Sequence, residues 1–413
     1  MRKTFSWWTA GLMALFVGMG ACMPPEDETD NPGLSVPGIN QEIYRLMQDF
    51  YFWEDELPVV TDFGRINDND AFLRSLRFEP LDRWSYLTTR EAFEAAFTGQ
   101  ASGVHGFGFQ LQEQPSGDFK MFIAFVFANG PAGQDGWQRG WEVTQINGRP
   151  IMSYRTANGF DFQLGPNVIG STNSFTFRLP DGTETTRTIR RDAFQTNSVL
   201  HQEAFELAGK KVGYWVYHSF RATAGETPTR SLEVEDSFQF FNQEQVQELI
   251  IDLRYNGGGS VAVTEQILNF LVPQAADNQV MYTVQHNQPQ QNRNRTVNFR
   301  RRGNLQLQRV IFLTSRSSAS ASELLINCLE PYMDVVLIGD NTFGKPVGSF
   351  TLSGFSRPLQ QRGLELVPIT FATTNATGVA DYFDGLPADF FVADDPSRNW
   401  GDRQEARFQA AYS

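Results

Sequence analysis

The chain has 413 residues, which is long enough for two or three domains with substantial hydrophobic cores. Its formal net charge is −13, and basic residues are not clustered as a groove for nucleic-acid phosphates would require. Nucleic acid is therefore not an expected partner, and the acidic surface mainly favours solubility.

The N-terminus predicts a signal peptide over residues 1–22, because Arg2 and Lys3 precede an apolar run that is short for a bilayer span. Small residues before Cys22 resemble a bacterial lipobox. We therefore expect a lipid on Cys22, an anchor in the cell envelope on its periplasmic or surface face, and an acidic tether over residues 23–38. An uncleaved membrane anchor is the alternative.

Residues 39–100 show a helical pattern in which Ile43, Leu46, Met47 and Phe50 share one face, which predicts a small helical N-terminal domain.

Glycines and alternating apolar residues then predict strands over residues 101–195, with hairpin turns at Asn147-Gly148 and around Asp181-Gly182. The stretch from "NGPAG" to "QING" resembles a PDZ domain, with Trp141 at the usual aspartate. That resemblance implies a loop that receives a peptide's terminal carboxylate, formed by Gly106, Phe107, Gly108 and Phe109. A simple glycine-rich hairpin is the alternative.

Residues 196–413 alternate short apolar strands with helices, which predicts an α/β layer with a largely parallel sheet. Ligands bind such sheets beyond the carboxyl ends of the strands, where "LRYNGGG" and "TSRSSASAS" both fall.

The stretch "SRSSASASELLINCLEPY" at 315–332 predicts a hydroxyl-rich helix start. Cys328 lies on the apolar stripe of that helix, which indicates a core residue. With Cys22 lipidated, no intrachain disulfide is expected.

A serine hydrolase needs a base, and none of the four histidines lies in a recognisable triad setting. Only five lysines occur, and Lys345 stands alone in "IGDNTFGKPVG", 25 residues after Ser320. One helix and one strand separate the two, which can bring both to one edge of a sheet. A buried lysine can lose its proton and accept one from a serine, whereas arginine cannot. The alternative is a lysine that merely caps a turn.

The segments "VGYWVYHSF", "IIDLRYNGGG", "SASASE" and "GDNTFGK" together resemble the carboxyl-terminal processing (tail-specific) peptidases, a serine/lysine dyad family that carries a PDZ domain. The resemblance covers most of the mature chain. It implies an α/β multi-domain protein with a ClpP/crotonase-like peptidase core, an inserted PDZ-like β domain and a small helical N-terminal domain. By position, Ser320 is the nucleophile and Lys345 the general base.

The resemblance also assigns oxyanion donors to Ala321, Gly257 and Gly258, and supporting roles to further residues. The supporting residues are Ser318, Ser322, Glu323 and Thr342. Many relatives have a glutamine four residues beyond the lysine, where this chain has Ser349. Either that hydroxyl holds the amine or another residue does.

The leading interpretation is an envelope endopeptidase that captures accessible C-terminal tails of proteins, needs no cofactor or metal, and has an undetermined oligomeric state. The histidines and cysteines are too scattered for a zinc site. One alternative is a non-catalytic peptide-binding lipoprotein on the same fold. Another is a carbohydrate-active enzyme that uses Asp381, Asp384 and Asp389, although "YFDGLPAD" is equally typical of a capped loop.

Overall fold

The computed structural model describes residues 32–224 and 229–412. The predicted signal peptide, Cys22 and much of the expected acidic tether lie outside the described residues. Within the described ranges, no helix is both long and apolar enough to cross a bilayer.

The N-terminal region is helical, and it also contains one short strand that the sequence pattern did not indicate. The Ser35 hydroxyl accepts a hydrogen bond from the Gly38 amide at the start of the first helix. The apolar face predicted for that helix is buried. The elements are α1 (Val36–Phe50), α2 (Asn69–Leu76), β1 (Tyr86–Thr89) and α3 (Arg90–Thr98).

Residues 100–195 form a β-rich segment, as predicted. Both turn residues Asn147 and Gly148 have positive φ, at 50° and 73°, which matches the expected hairpin turn. The elements are β2 (Gln100–Val104), β3 (Phe107–Glu113), β4 (Phe119–Val126), α4 (Pro131–Gln134), β5 (Glu142–Ile146), β6 (Arg149–Pro150), β7 (Arg155–Thr156), β8 (Gly159–Phe160), β9 (Thr172–Arg178), β10 (Glu184–Arg190) and β11 (Asp192–Gln195).

The sheet of this segment has the strand order β10-β9-β5-β4-β3, so β3 lies at its edge. Strands β2 and β11 pair with each other, which brings the entry and the exit of the segment together.

The residues expected to bind a carboxylate stay a prediction, and they lie at the start of a strand. Only Gly106 precedes β3; Phe107, Gly108 and Phe109 are its first residues. The reason is packing: Phe107 contacts the Trp137 ring at 5.0 Å, and the absence of a Cβ on Gly108 leaves room for the neighbouring Phe125 ring.

The remaining chain is an α/β layer. Its elements are β12 (Val199–Leu207), β13 (Lys210–Tyr217), α5 (Leu232–Gln243), β14 (Glu248–Asp252), α6 (Val261–Leu271), β15 (Val280–His286), β16 (Arg295–Asn298), β17 (Arg309–Thr314), α7 (Ala321–Leu329), β18 (Asp334–Gly339), β19 (Val347–Ser349), α8 (Arg357–Gln361), β20 (Leu364–Val367), β21 (Ile369–Asn375), β22 (Phe390–Phe391) and α9 (Ala406–Ala411).

The central sheet has the order β12-β13-β14-β17-β18-β22, and its pairings from β13 to β22 are parallel, as predicted. Side chains alternate between its two faces: Leu249 and Ile251 pack with α5, α6 and α7, whereas Ile250 packs with Phe408 of α9. Cys328 is buried in the first of these cores, as expected.

A second sheet, β16-β15-β21-β19, adjoins the N-terminal helices. Strand β1 pairs with β20, and Leu366 and Ile369 share a core with α1 and α2. The N-terminal helices therefore pack directly on the strands that follow Lys345.

The β-rich segment is joined to the central layer by the guanidinium of Arg139, whose side chain is fully buried. It donates hydrogen bonds to the Tyr255 hydroxyl at 2.8 Å and to Asp394 at 2.9 Å, and it lies 4.2 Å above the Trp400 ring. Asp394 also pairs with buried Arg254 at 2.6 Å. The two arginines hold the pKa of Asp394 well below its usual range.

Replacing Arg139 by methionine should destabilise the protein by about 3–5 kcal/mol, because buried polar partners lose their donor. The matched control is Arg178→Met on the same segment, whose ion pair with Glu142 is about half exposed on the arginine side and should matter by less than about 1 kcal/mol. Chemical unfolding monitored by tryptophan fluorescence measures both. Equal losses in the two variants would contradict the proposed role of Arg139.

Candidate active site

Three loops meet at the carboxyl edge of the central sheet. The parallel strands β14, β17 and β18 end at Asp252, Thr314 and Gly339, so the segments that follow them emerge on the same side. These segments are 253–260, 315–320 and 340–346, and they contain the sequence motifs singled out above.

Ser320 is the N-cap residue of α7 and has a strained backbone, with φ 56° and ψ −109°. Few non-glycine residues adopt positive φ, and such strain persists only where surrounding contacts impose it. A strained turn at a helix start is the way in which many hydrolases expose a nucleophilic serine.

The carboxylate of Glu323 imposes this geometry and links it to the lysine loop. One of its oxygens accepts hydrogen bonds from the backbone amides of Ser320 and Lys345, both at 2.8 Å. The other accepts from the Thr342 hydroxyl and the Gly344 amide, both at 2.6 Å. Burial raises the pKa of Glu323, and these four hydrogen bonds oppose that rise.

Lys345 is partly buried, and loss of solvation lowers the pKa of its amine. The negative charges of Asp82 and Glu323 act in the opposite direction. Among the described residues, no hydrogen bond joins the Ser320 hydroxyl to this amine. Catalytic hydrogen bonds are commonly long in unliganded enzymes and shorten when substrate binds.

Asn256 organises the backbone beside Ser320. Its side chain donates to the Tyr217 carbonyl at 2.9 Å and accepts from the Gly258 amide at 2.8 Å. The Gly258 amide is therefore engaged, whereas the amides of Gly257 and Ala321 have no hydrogen-bond partner in the described parts of the chain.

Gly258 has φ 104° and lies against the turn that contains Ser320. A Cβ on this residue would stand 2.8 Å from the Ala319 carbonyl oxygen and 3.0 Å from the Ser320 Cβ. The close approach of these two backbones requires glycine at this position.

The other two serines hold the loops together. The Ser318 hydroxyl donates to the Leu253 carbonyl at 2.8 Å, and its carbonyl accepts from the Phe343 amide at 2.9 Å. The Ser322 hydroxyl donates to the Asn256 carbonyl at 3.0 Å.

Ser349 lies in β19, and its hydroxyl forms no hydrogen bond with Lys345 in the described structure. In the described structure, no shared hydrogen-bond partner joins the three aspartates of the carbohydrate-enzyme alternative. Asp389 binds the Leu337 amide at 2.8 Å, while Asp381 and Asp384 are exposed loop residues.

Sequence reasoning missed Asp82 and Trp84, which approach Lys345 from the N-terminal region. No local signal marks "DRWS" as part of a site, because about 260 residues separate it from the lysine. Asn256 could have been found, since it precedes the glycines of the "NGGG" motif.

Two family descriptions match the chain: Peptidase family S41 over residues 211–359, and the Peptidase S41 N-terminal domain over residues 38–86. The first includes both Ser320 and Lys345. The second includes Asp82 and Trp84.

Among curated proteins, the chain is 26% identical to a carboxyl-terminal-processing protease of Synechocystis, over 67% of this chain and 58% of that protein. It is 24% identical to the carboxy-terminal processing protease CtpB of Bacillus subtilis, over 55% of this chain and 44% of that protein. The chain thus spans about half the length of the curated relatives it matches.

Among solved structures, a protein described as an S41 protease from Bacteroides fragilis superposes with a TM-score of 0.71 at 24% identity, covering 90% of this chain and 96% of that one. The photosystem II D1 C-terminal processing protease superposes with a TM-score of 0.50 at 17% identity, covering 87% and 93%. These likenesses establish the S41 peptidase fold, with mixed α/β content and a small N-terminal domain.

In fold and in sequence the chain is thus similar to serine peptidases. The matches support the carboxyl-terminal processing peptidases of Peptidase family S41 as the family that this chain resembles.

Gly258→Ala should lower kcat/KM for a polypeptide substrate by on the order of a hundredfold or more, because the added methyl group displaces the Ser320 turn and its nearby amides. Gly117→Ala is the control, since its Cβ would meet open space although its φ is also positive, at 83°. Similar losses of activity in both variants would show that backbone strain alone, and not contact with Ser320, explains the effect.

Proposed function

We propose that this protein is an envelope serine endopeptidase that hydrolyses peptide bonds in accessible, unstructured protein segments by a Ser320/Lys345 dyad. The observation that carries the proposal is the shared Glu323 oxygen, which accepts hydrogen bonds from the amides of both dyad residues. It holds a strained serine at a helix start beside a lysine whose pKa is lowered by burial.

In the proposed reaction, the neutral Lys345 amine removes the proton from the Ser320 hydroxyl while the oxygen attacks the peptide carbonyl. The Ala321 and Gly257 amides stabilise the resulting oxyanion. The Gly258 amide can contribute only when it leaves the Asn256 side chain.

The lysine then gives the proton to the departing amine, and the C–N bond breaks to leave an acyl ester on Ser320. Water attacks this ester, Lys345 removes a proton from the water, and Ser320 recovers its hydrogen as the acid is released. The balanced result is the addition of one water across one peptide bond.

We further propose that residues 101–195 form a PDZ-like domain that captures the C-terminal tail of the substrate. Edge strand β3 offers a surface to which an extended peptide can add as a further strand. Gly106 directly precedes this strand. The ring of Phe109, in the strand, packs against the ring of Phe162, with 5.4 Å between the ring centres. The helical region 39–100, the peptidase region 196–413 and lipid attachment at Cys22 complete the proposed organisation.

Ser320→Ala and Lys345→Arg should each reduce cleavage of fluorescently labelled casein by more than about a thousandfold. Alanine lacks the nucleophile, whereas arginine keeps the positive charge but cannot accept a proton near neutrality. Ser317→Ala in the same turn is the control and should retain activity within about twofold.

Casein cleavage by both variants at the control rate would disprove the dyad. If the unaltered protein binds unstructured polypeptides and cleaves none of them, a peptide-binding scaffold replaces the peptidase.

A further inference from the structure

The N-terminal region contributes a loop, 82–85, to the surroundings of Lys345. Strand β1 follows this loop directly and pairs with β20, with Tyr86 opposite Val367. The Ser85 hydroxyl accepts a hydrogen bond from the Ile369 amide at 2.9 Å. The loop is therefore fixed to strands that follow Lys345 in the sequence.

The indole ring of Trp84 forms one wall beside the lysine amine. The Lys345 Nζ lies 6.0 Å from the centre of this ring, and Phe383 stacks on the ring at 6.2 Å. The Arg83 guanidinium lies 5.0 Å from the same ring and donates to the Phe383 carbonyl at 3.1 Å. Phe383 from a distant segment and the adjacent Arg83 thus hold the ring in place.

Asp82 supplies a buried carboxylate in the same loop as Trp84, with only 2% of the residue exposed, and its negative charge acts on the Lys345 amine. It accepts hydrogen bonds from the Tyr51 hydroxyl at 2.7 Å and from the amides of Trp84 and Ser85 at 3.0 and 2.9 Å. No arginine, lysine or histidine among the described residues forms an ion pair with it. Its charge is therefore available to the lysine.

The charged groups around the amine are few. Asp82 and Glu323 are the carboxylates that favour the ammonium form. The Arg83 guanidinium lies over the Trp84 ring. The Arg316 guanidinium donates a hydrogen bond to the Thr342 carbonyl oxygen on the neighbouring loop, at 2.6 Å. The Ser349 hydroxyl does not bind the amine.

We propose that Asp82 and Trp84 are positioning residues for Lys345. This inference rests on the proposed Ser320/Lys345 dyad. The Asp82 carboxylate fixes the Trp84 backbone through the Trp84 amide, and its charge favours the protonated form of the amine, while the ring excludes water and favours the neutral form. At 6.0 Å the amine is at the outer limit of cation–π attraction, so exclusion of water is the larger effect of the ring.

The two side chains should therefore shift the pH profile in opposite directions. Removing the charge with Asp82→Asn lowers the pKa of Lys345, so the acidic limb of kcat/KM moves to lower pH. Admitting water with Trp84→Ala raises the pKa of Lys345, so the limb moves to higher pH. Each variant should also lose on the order of tenfold in the plateau value of kcat, because the amine is less well oriented.

The profile is measured with labelled casein, and Asp62→Asn is the matched control. Asp62 is exposed in the same region and only accepts a hydrogen bond from the Gly64 amide, so its substitution should leave the limb in place. The proposal would be overturned if the acidic limb of the kcat/KM profile did not move in either Asp82→Asn or Trp84→Ala, or if it moved in the same direction in both. A shift in Ser349→Ala with none in Asp82→Asn would also overturn it.

A second measurement does not depend on proteolysis. In the Ser320→Ala background, the pH dependence of Lys345 acetylation by acetic anhydride is followed by mass spectrometry of its peptide. Asp82→Asn should move the onset of labelling to lower pH, and Trp84→Ala to higher pH. If labelling shifts as expected although Ser320→Ala still cleaves casein, the dyad fails while the influence of Asp82 and Trp84 on the amine stands; if labelling does not shift, this inference fails.

Discussion

The buried Glu323 carboxylate is the interaction on which the candidate site depends. It binds the amides of Ser320, Gly344 and Lys345 together with the Thr342 hydroxyl, so one side chain fixes the start of α7 and the loop after β18. A buried carboxylate is costly unless hydrogen bonds satisfy it. Its four donors meet that requirement only when both loops are in place, so assembly of the site and burial of the charge depend on each other.

The residues that surround this carboxylate and the Lys345 amine come from distant parts of the chain. Central strands supply the parallel carboxyl edge, Asn256 and Gly258 lie against the Ser320 turn, and the 82–85 loop reaches Lys345 from the N-terminal region. Arg139 ties the β-rich segment to Tyr255, the residue just before Asn256. One buried side chain therefore connects the β-rich segment to the backbone beside Ser320.

Sequence patterns predicted the parallel sheet, the buried face of α1 and the turn at Asn147, because these features follow from local periodicity and turn chemistry. Ser320 and Lys345 were singled out as candidates because a hydroxyl-rich helix start and an isolated lysine both follow apolar strands, and their catalytic roles stay a prediction. The carboxylate-binding role expected for Phe107–Phe109 stays a prediction, and the PDZ resemblance did not reveal the cross-strand packing of Gly108 against Phe125. The sequence pattern did not predict Asp82 and Trp84 as site residues, because only tertiary contacts bring them near Lys345.

The most direct test of the shared carboxylate is amide hydrogen–deuterium exchange in Glu323→Gln compared with the unaltered protein. The account predicts that peptides covering 315–323 and 340–346 lose protection together, because a carboxamide cannot accept from four donors. The peptide covering β14 should be unchanged. Loss of protection in only one of the two loops, or in neither, would contradict the claim that this carboxylate joins them.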